Sequence, residues 1–386
     1  MELYYFDHNA TTPVAPDVIR AMVPCFDRVY GNASSIHRFG QQAKSLLEQA
    51  RRQVAGLIGC RPAEAVFTGG GTEANNLAIL GAVRNAAKPR RHVITTTIEH
   101  PSVLDTCRHL QKEGVEVSFV CVGSSGVVSP GDIRAALRPE TVLITVMHAN
   151  NEIGTIQPIR EIAAIAREAG VVMHTDGVQS AGKIPVDVRE LGVDLLSLSG
   201  HKIYGPKGVG ALFVRKGTRL RSVVFGGHQE RDRRPGTENV AGLVGLGAAA
   251  ELARRDLTQD VVRLSALRDR LERALVERIE FAEIHAVNSP RVPNTANLHF
   301  DFIEGEALLI ALDLKGMAVS SGAACSSGSV EPSHVLTAIG LSAERARSSI
   351  RFSLGRQNTA EQVDALVREV ESSVAHLRSL SPCLHH

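Results

Sequence analysis

The sequence predicts an α/β protein in which a large domain, built on a mostly parallel seven-stranded sheet flanked by helices, is joined to a smaller α+β domain. Three observations predict it. Between about residues 60 and 215, short β-rich runs alternate with helical patterns. The runs are joined by helix-length segments, as parallel neighbours require, since parallel strands cannot be linked by a tight hairpin. The 386 residues also exceed what a single hydrophobic core usually supports.

In chain order, the strands are expected at 65–68, 92–97, 115–122, 141–148, 171–175 and 194–198, each rich in Val, Ile, Leu or Thr and each ending at a turn or polar cluster. A seventh run, 210–214, follows its predecessor closely and is expected as an antiparallel addition. Helical patterns occupy 72–88, 101–113 and 158–169, the last opening on Pro158 and stopping before Gly170. After a polar Gly/Arg stretch at 226–239, long helical patterns run to about residue 280. The smaller domain is expected to combine strand 295–300, helix 304–315, strand 350–353 and helix 359–377. We divide the chain into a large domain at 15–260 and a small one formed by 1–14 with 261–386. Segment 320–329, rich in serine and glycine, is expected as a mobile loop.

Composition narrows the function. Lys and Arg number 43 against 41 Asp and Glu, a net charge of +2, which gives no basis for a nucleic-acid or membrane partner. Six cysteines are scattered without a C-x-x-C pair, arguing against a zinc site and a disulfide framework and for a reducing compartment. The first dozen residues lack a signal-peptide core, and the most apolar long stretch, 241–253, is too short to span a bilayer, so a cytoplasmic enzyme is expected.

In open α/β sheets ligands bind beyond the carboxyl ends of the strands, so the polar residues that follow each strand carry the functional signal. Gly69-Gly70-Gly71-Thr72 follows one strand and opens a helix, offering free N–H groups and a positive dipole end to a phosphate. Asp176 follows another, where a carboxylate can hold a protonated ring nitrogen, with Gln179 close behind. His100 precedes Pro101, and Asn150-Asn151 follows the strand at 141–148. Lys202, in Ser199-Gly200-His201-Lys202, reaches the same crevice. Singly, each has a plainer reading as a turn former, helix cap or solvated lysine. Together, a lysine desolvated in a phosphate-binding crevice opposite an aspartate is what a Schiff-base cofactor needs.

Eight segments carry a resemblance: Asp7-His8-Asn9-Ala10-Thr11-Thr12, Gly71-Thr72-Glu73-Ala74-Asn75, Glu99-His100, 149–155, His174-Thr175-Asp176, Ser199-Gly200-His201-Lys202, 234–239, and Ser320-Ser321-Gly322-Ala323-Ala324-Cys325. Over nearly its whole length the chain resembles cysteine desulfurases of the NifS/IscS type, within the class V aminotransferase group of fold-type I pyridoxal-phosphate enzymes. The resemblance implies a cofactor, pyridoxal 5'-phosphate, linked to Lys202. Asp176 would pair with its ring nitrogen, His100 stack on the ring and Gln179 contact the ring oxygen. Thr72, Ser199 and His201 would hold the phosphate, with Thr237 from the neighbouring subunit of a homodimer. Asn151 and Arg351 would bind the carboxylate of L-cysteine. Cys325 would take the sulfur as a persulfide, release alanine, and pass the sulfur to an iron–sulfur scaffold or another acceptor protein. A thiol in an open Ser/Gly-rich loop suits that task. The other cysteines read as structural. A selenocysteine lyase or another class V enzyme is the alternative on this fold, and a non-catalytic sulfur-relay partner the alternative outside catalysis. His8 stands where the family often has asparagine.

Overall fold

A computed structural model describes residues 2–321 and 331–380. The first strand, β1 (Tyr4–Tyr5), is followed by seven that form the main sheet: β2 (Ala65–Thr68), β3 (His92–Thr96), β4 (Glu116–Val120), β5 (Thr141–Thr145), β6 (Val172–Asp176), β7 (Leu195–Ser199) and β8 (Gly210–Val214). Their spatial order is β2-β8-β7-β6-β5-β3-β4. Neighbours from β7 through β4 pair in parallel, whereas β8 is antiparallel to both β7 and β2. The seven-stranded, mostly parallel sheet is therefore as expected, with β8 inserted between two strands and not added at an edge.

Most of these strands are buried along their whole length because helices cover both faces, and this is why they read as continuous Val, Ile and Leu runs without alternation. The helices begin where their caps dictate. His100 caps Pro101–Lys112, whose first residue is proline, and Ser129 caps Pro130–Ala135. Ile159–Glu168 is followed by Gly170, which takes the left-handed conformation (φ 65°) that glycine adopts without strain.

The later strands are β9 (Ala282–Ile284), β10 (Thr295–Phe300), β11 (Met317–Ala318), β12 (Ser320–Ser321) and β13 (Ser349–Ser353). They form an antiparallel sheet, β12-β13-β10-β9, while β11 pairs in parallel with β1. The helical patterns up to residue 280 are one 39-residue helix, Val240–Arg278. Its first half packs Leu243, Leu246 and Ala249 into the core of the main sheet, and its second half packs Leu264, Leu271 and Leu275 with Phe6, Leu298 and Phe352 into a second core.

Three expectations are corrected. Ser320 and Ser321 are not loop but strand, held by pairing with Arg351 and Ile350; residues 322–330, Cys325 among them, lie outside the described residues. The strand expected at 115–122 stops at Val120, so Cys121 is exposed and lies outside strand and core, unlike buried Cys25 and Cys107. Strand β5 stops at Thr145, although Val146 and His148 still bond to the carbonyls of His174 and Asp176. Among the described residues no helix is long and apolar enough to cross a membrane.

Candidate active site

The carboxyl ends of β2, β5, β6 and β7 converge on a cavity of ≈ 290 Å³. It is lined by Thr72, His100, Asn151, Asp176, Gln179, Ser199, His201, Lys202 and Arg351, which gathers nine of the residues singled out in the sequence. Thr237 is exposed and does not line it in this chain. Cys325 lies outside the described residues.

At one end, the chain leaves β2 through Gly69-Gly70 and enters the helix Gly71–Asn85. Gly70 takes φ 152°, a conformation side-chain-bearing residues avoid. A Cβ on Gly71 would stand 2.8 Å from Cγ2 of Val178. The turn thus stays bare, and the start of the helix, whose first N–H groups have no intrahelical acceptor, lines the cavity together with Thr72 and Ser199. Glu73 braces the turn by accepting from the Gly69 N–H (2.9 Å) and from Nε of Arg234 (2.8 Å). Burial and the charges of Lys202, Lys207 and Lys183 push the His201 imidazole down to about 4, so the ring is neutral at neutral pH.

In the middle, Asp176 ends β6 and is buried. Its Oδ1 accepts from the Val178 N–H (2.9 Å) and its Oδ2 from Nδ2 of Asn75 (2.7 Å). The same Asn75 nitrogen donates to Oγ of Ser102 (2.9 Å), which lies 2.8 Å from Nδ1 of His100. That Nδ1 also accepts from the Ser102 N–H (3.1 Å), which places the proton of a neutral ring on Nε2. Burial lowers the affinity of His100 for a second proton, against the pull of Asp176. Asn75 therefore ties the aspartate to the histidine, and its own Oδ1 is buried without a hydrogen-bond partner among the described residues.

Lys202, in a short 3₁₀ turn after β7, donates from Nζ to the carbonyls of Asn9 (2.5 Å) and Ala10 (2.7 Å). Asn9 is a hub. Its Oδ1 accepts from Nζ of Lys183 (2.7 Å), and its Nδ2 donates to Oγ1 of Thr295 (2.8 Å) and to the Asn151 carbonyl (3.1 Å). Arg351, on β13, is almost wholly buried and donates from Nη2 to Oδ1 of Asp7 (2.7 Å) and from Nη1 to the Asn151 carbonyl (3.1 Å). Its Nε is buried without a partner among the described residues.

Sequence reasoning quoted Asp7, Asn9 and Asn75 only as parts of motifs and passed over Ser102 and Lys183. Helix spacing offered a signal for one of them: Asn75 lies three residues beyond Thr72 on the helix Gly71–Asn85, whereas Lys183, four beyond Gln179, lies in a turn. His8 is buried with both ring nitrogens unpartnered among the described residues, and burial together with the charge of Lys183 holds it down to about 4.

This donor set fits pyridoxal phosphate. A bare helix start with two hydroxyls suits a dianionic phosphate, a buried carboxylate suits a protonated pyridine nitrogen, and a primary amine stands in the same cavity. Residues 4–366 match the aminotransferase class-V family. The chain is 48% identical over 378 residues to the cysteine desulfurase IscS of Dictyoglomus turgidum, covering 98% of this chain and 96% of that one. It is 49% identical over 384 residues to a cysteine desulfurase of Gluconacetobacter diazotrophicus, covering 99% and 96%. Among solved structures, a NifS-like protein superimposes with a TM-score of 0.91 at 37% identity, covering 97% of this chain and all of that one. A structure described as SspA in complex with cysteine matches with a TM-score of 0.81 at 38% identity, covering 91% and 98%.

Proposed function

The chain belongs to the aminotransferase class-V family, and from that premise we propose that its crevice takes the sulfur of L-cysteine onto Cys325 through the named residues that line it. The protein is a cysteine desulfurase whose cofactor is pyridoxal phosphate. One observation carries the assignment of residues: Lys202, Asp176 and the bare start of the helix Gly71–Asn85 line a single cavity.

When bound, the cofactor supplies a carbon that joins amines and a ring that holds the electrons released at the substrate α-carbon. The chain supplies the rest. Thr72, Ser199 and neutral His201 hold the phosphate with the helix dipole behind them. Asp176, oriented by Asn75 and the Val178 N–H, keeps the ring nitrogen protonated. His100 covers the ring with its Nδ1 committed to Ser102 and its Nε2–H free to donate. The planar fork of Arg351, with Asn151, takes the substrate carboxylate, a task suited to arginine over lysine. With the cofactor bound, Nζ of Lys202 would act as the base that takes the proton from the substrate Cα and as the acid that returns protons to the carbon skeleton. The Cys325 thiolate attacks the substrate sulfur, and the Cβ–S bond breaks with its electrons left on the carbon fragment. The net change is L-cysteine plus the Cys325 thiol giving L-alanine plus a Cys325 persulfide, with atoms and electrons balanced.

The same reading includes a homodimer, in which Thr237 reaches the partner's phosphate site. Its support is the exposed position of Thr237 and the exposed apolar side chains Phe26, Ile36 and Phe225. It includes a division into a large domain (15–260) and a small one (1–14 with 261–386), supported by the change of core along Val240–Arg278. It includes delivery of the sulfur to an iron–sulfur scaffold or another acceptor protein, in the cytoplasm, a compartment suited to the free thiols of Cys25, Cys60, Cys107 and Cys121. The assignment of Lys202 is tested by borohydride reduction of the purified protein followed by peptide mapping. The pyridoxyl mass is expected on Lys202, and its appearance on Lys183 or its absence would refute the assignment.

A further inference from the structure

Two lysines approach this crevice, and the mechanism uses one. Lys183 is buried, 9% exposed, and its Nζ donates to Oε1 of Gln179 (2.5 Å) and to Oδ1 of Asn9 (2.7 Å). Gln179 in turn donates from Nε2 to the Asn9 carbonyl (3.0 Å) and lines the cavity. An amide can present either its oxygen or its nitrogen to a given neighbour. Here the choice is forced, because an amine that donates must meet the oxygen, and a flipped amide would set N–H against N–H. With Oε1 committed to Lys183 and one Nε2 hydrogen to Asn9, the second hydrogen is the group Gln179 has left for a ligand.

We infer that Lys183 is a positioning residue that fixes the Gln179 amide as a hydrogen-bond donor, and not an acceptor, toward the ring oxygen of the bound cofactor. The inference rests on the pyridoxal phosphate reading above. It does not require Lys183 to be charged. Burial, with Lys202 and Arg351 nearby, disfavours its charged form, but a neutral amine keeps two hydrogens, enough for both of its bonds, and a flipped amide, although it could donate to the amine lone pair, would set Oε1 against the Asn9 carbonyl. Lys202, Arg351, His8 and His201 are the ionisable groups that act on it or feel its charge.

A donor at the ring oxygen favours the form of the chromophore with more negative charge there, so losing the donor raises the pH at which the chromophore gives up its proton. The experiment is a pH titration of the absorbance spectrum of the holoenzyme, without substrate, for wild type, Lys183→Met, Lys183→Gln, Gln179→Leu and the Lys183→Met/Gln179→Leu double variant. The apparent pKa of the chromophore is expected to rise by about one unit or more in Lys183→Met and in Gln179→Leu. The double variant should rise no further, and Lys183→Gln, whose amide still donates to Oε1, should stay near wild type. A Lys183→Met titration that overlays wild type, or a double variant showing the sum of the single shifts, would overturn the inference. Should Lys183→Met fail to fold or load, Lys183→Gln decides: titration like wild type supports the inference, and titration like Gln179→Leu overturns it. A wild-type protein without a titrating chromophore would instead refute the cofactor reading itself.

Discussion

The carboxylate of Asp7 accepts a hydrogen bond from Nη2 of Arg351 at 2.7 Å, across 344 positions of sequence, with the arginine side chain only 4% exposed. This pair joins the start of the chain to β13 and gives the buried guanidinium a resident counter-charge. Nη1 is held by the Asn151 carbonyl, while Nε has no partner among the described residues. Replacing one member of a buried pair leaves the other charge uncompensated. Asp7→Asn is therefore expected to lower stability by about 2–4 kcal/mol in urea denaturation. A variant as stable as wild type would show that Arg351 draws its compensation elsewhere.

Arg351→Lys should spare the fold and weaken the grip on substrate. An ammonium cannot replace a planar fork that meets two oxygens at once. We expect KM for L-cysteine to rise at least about tenfold, with a smaller change in kcat. Steady-state kinetics check this, and an unchanged KM would remove Arg351 from the carboxylate site.

Asn75 is the link between Asp176 and His100, through donations of 2.7 Å to the first and 2.9 Å to Ser102 beside the second. Asn75→Ala deprives a buried carboxylate of a donor and the Ser102–His100 pair of its anchor. A fall in kcat of about tenfold to a hundredfold is expected, with cofactor still bound. Turnover equal to wild type would show that the bridge is structural only.

His174 lies in the middle of the sheet, with Nδ1 2.8 Å from Oγ1 of Thr145 and Nε2 3.0 Å from Oγ of Ser197. Burial holds its pKa down to about 3. An imidazole in the unfolded chain titrates near about 6.5. Because the folded value is the lower one, the contribution of neutral His174 is fully present above about 6.5 and is lost as pH falls toward about 3. The destabilisation caused by His174→Gln should therefore shrink between about pH 7.5 and about pH 5 in denaturant titrations. A penalty that stays flat or grows would contradict the assignment of a neutral, buried ring.

Much of the fold was legible where composition and punctuation agreed. Strands β2, β8 and β10 have the bounds read from the sequence, since each is a short Val, Ala, Leu or Phe run closed by a glycine or a charged turn. The end of β4 was not legible, because Cys121 and Val122 keep strand composition after the chain has left the sheet. Nor was the unity of Val240–Arg278, which read only as long helical patterns up to about residue 280. Gly247 is there for close packing, as its Cβ would stand 2.5 Å from Cα of Ala50. The site was legible to the extent that strand ends converge: Thr72, His100, Asn151, Asp176, Ser199 and Lys202 were found by that rule. Asn75, Ser102 and Lys183 escaped it because their roles depend on which way a helix or turn faces once packed. Thr237 stays outside the crevice of its own chain.

The most direct test of desulfuration through Lys202 and Cys325 is to incubate the purified holoenzyme with L-cysteine and a reductant and quantify alanine and sulfide together. The account predicts equimolar alanine and sulfide from the wild type and neither from Lys202→Ala or Cys325→Ser. Pyruvate in place of alanine, no turnover despite bound cofactor, or full activity in Cys325→Ser would contradict it.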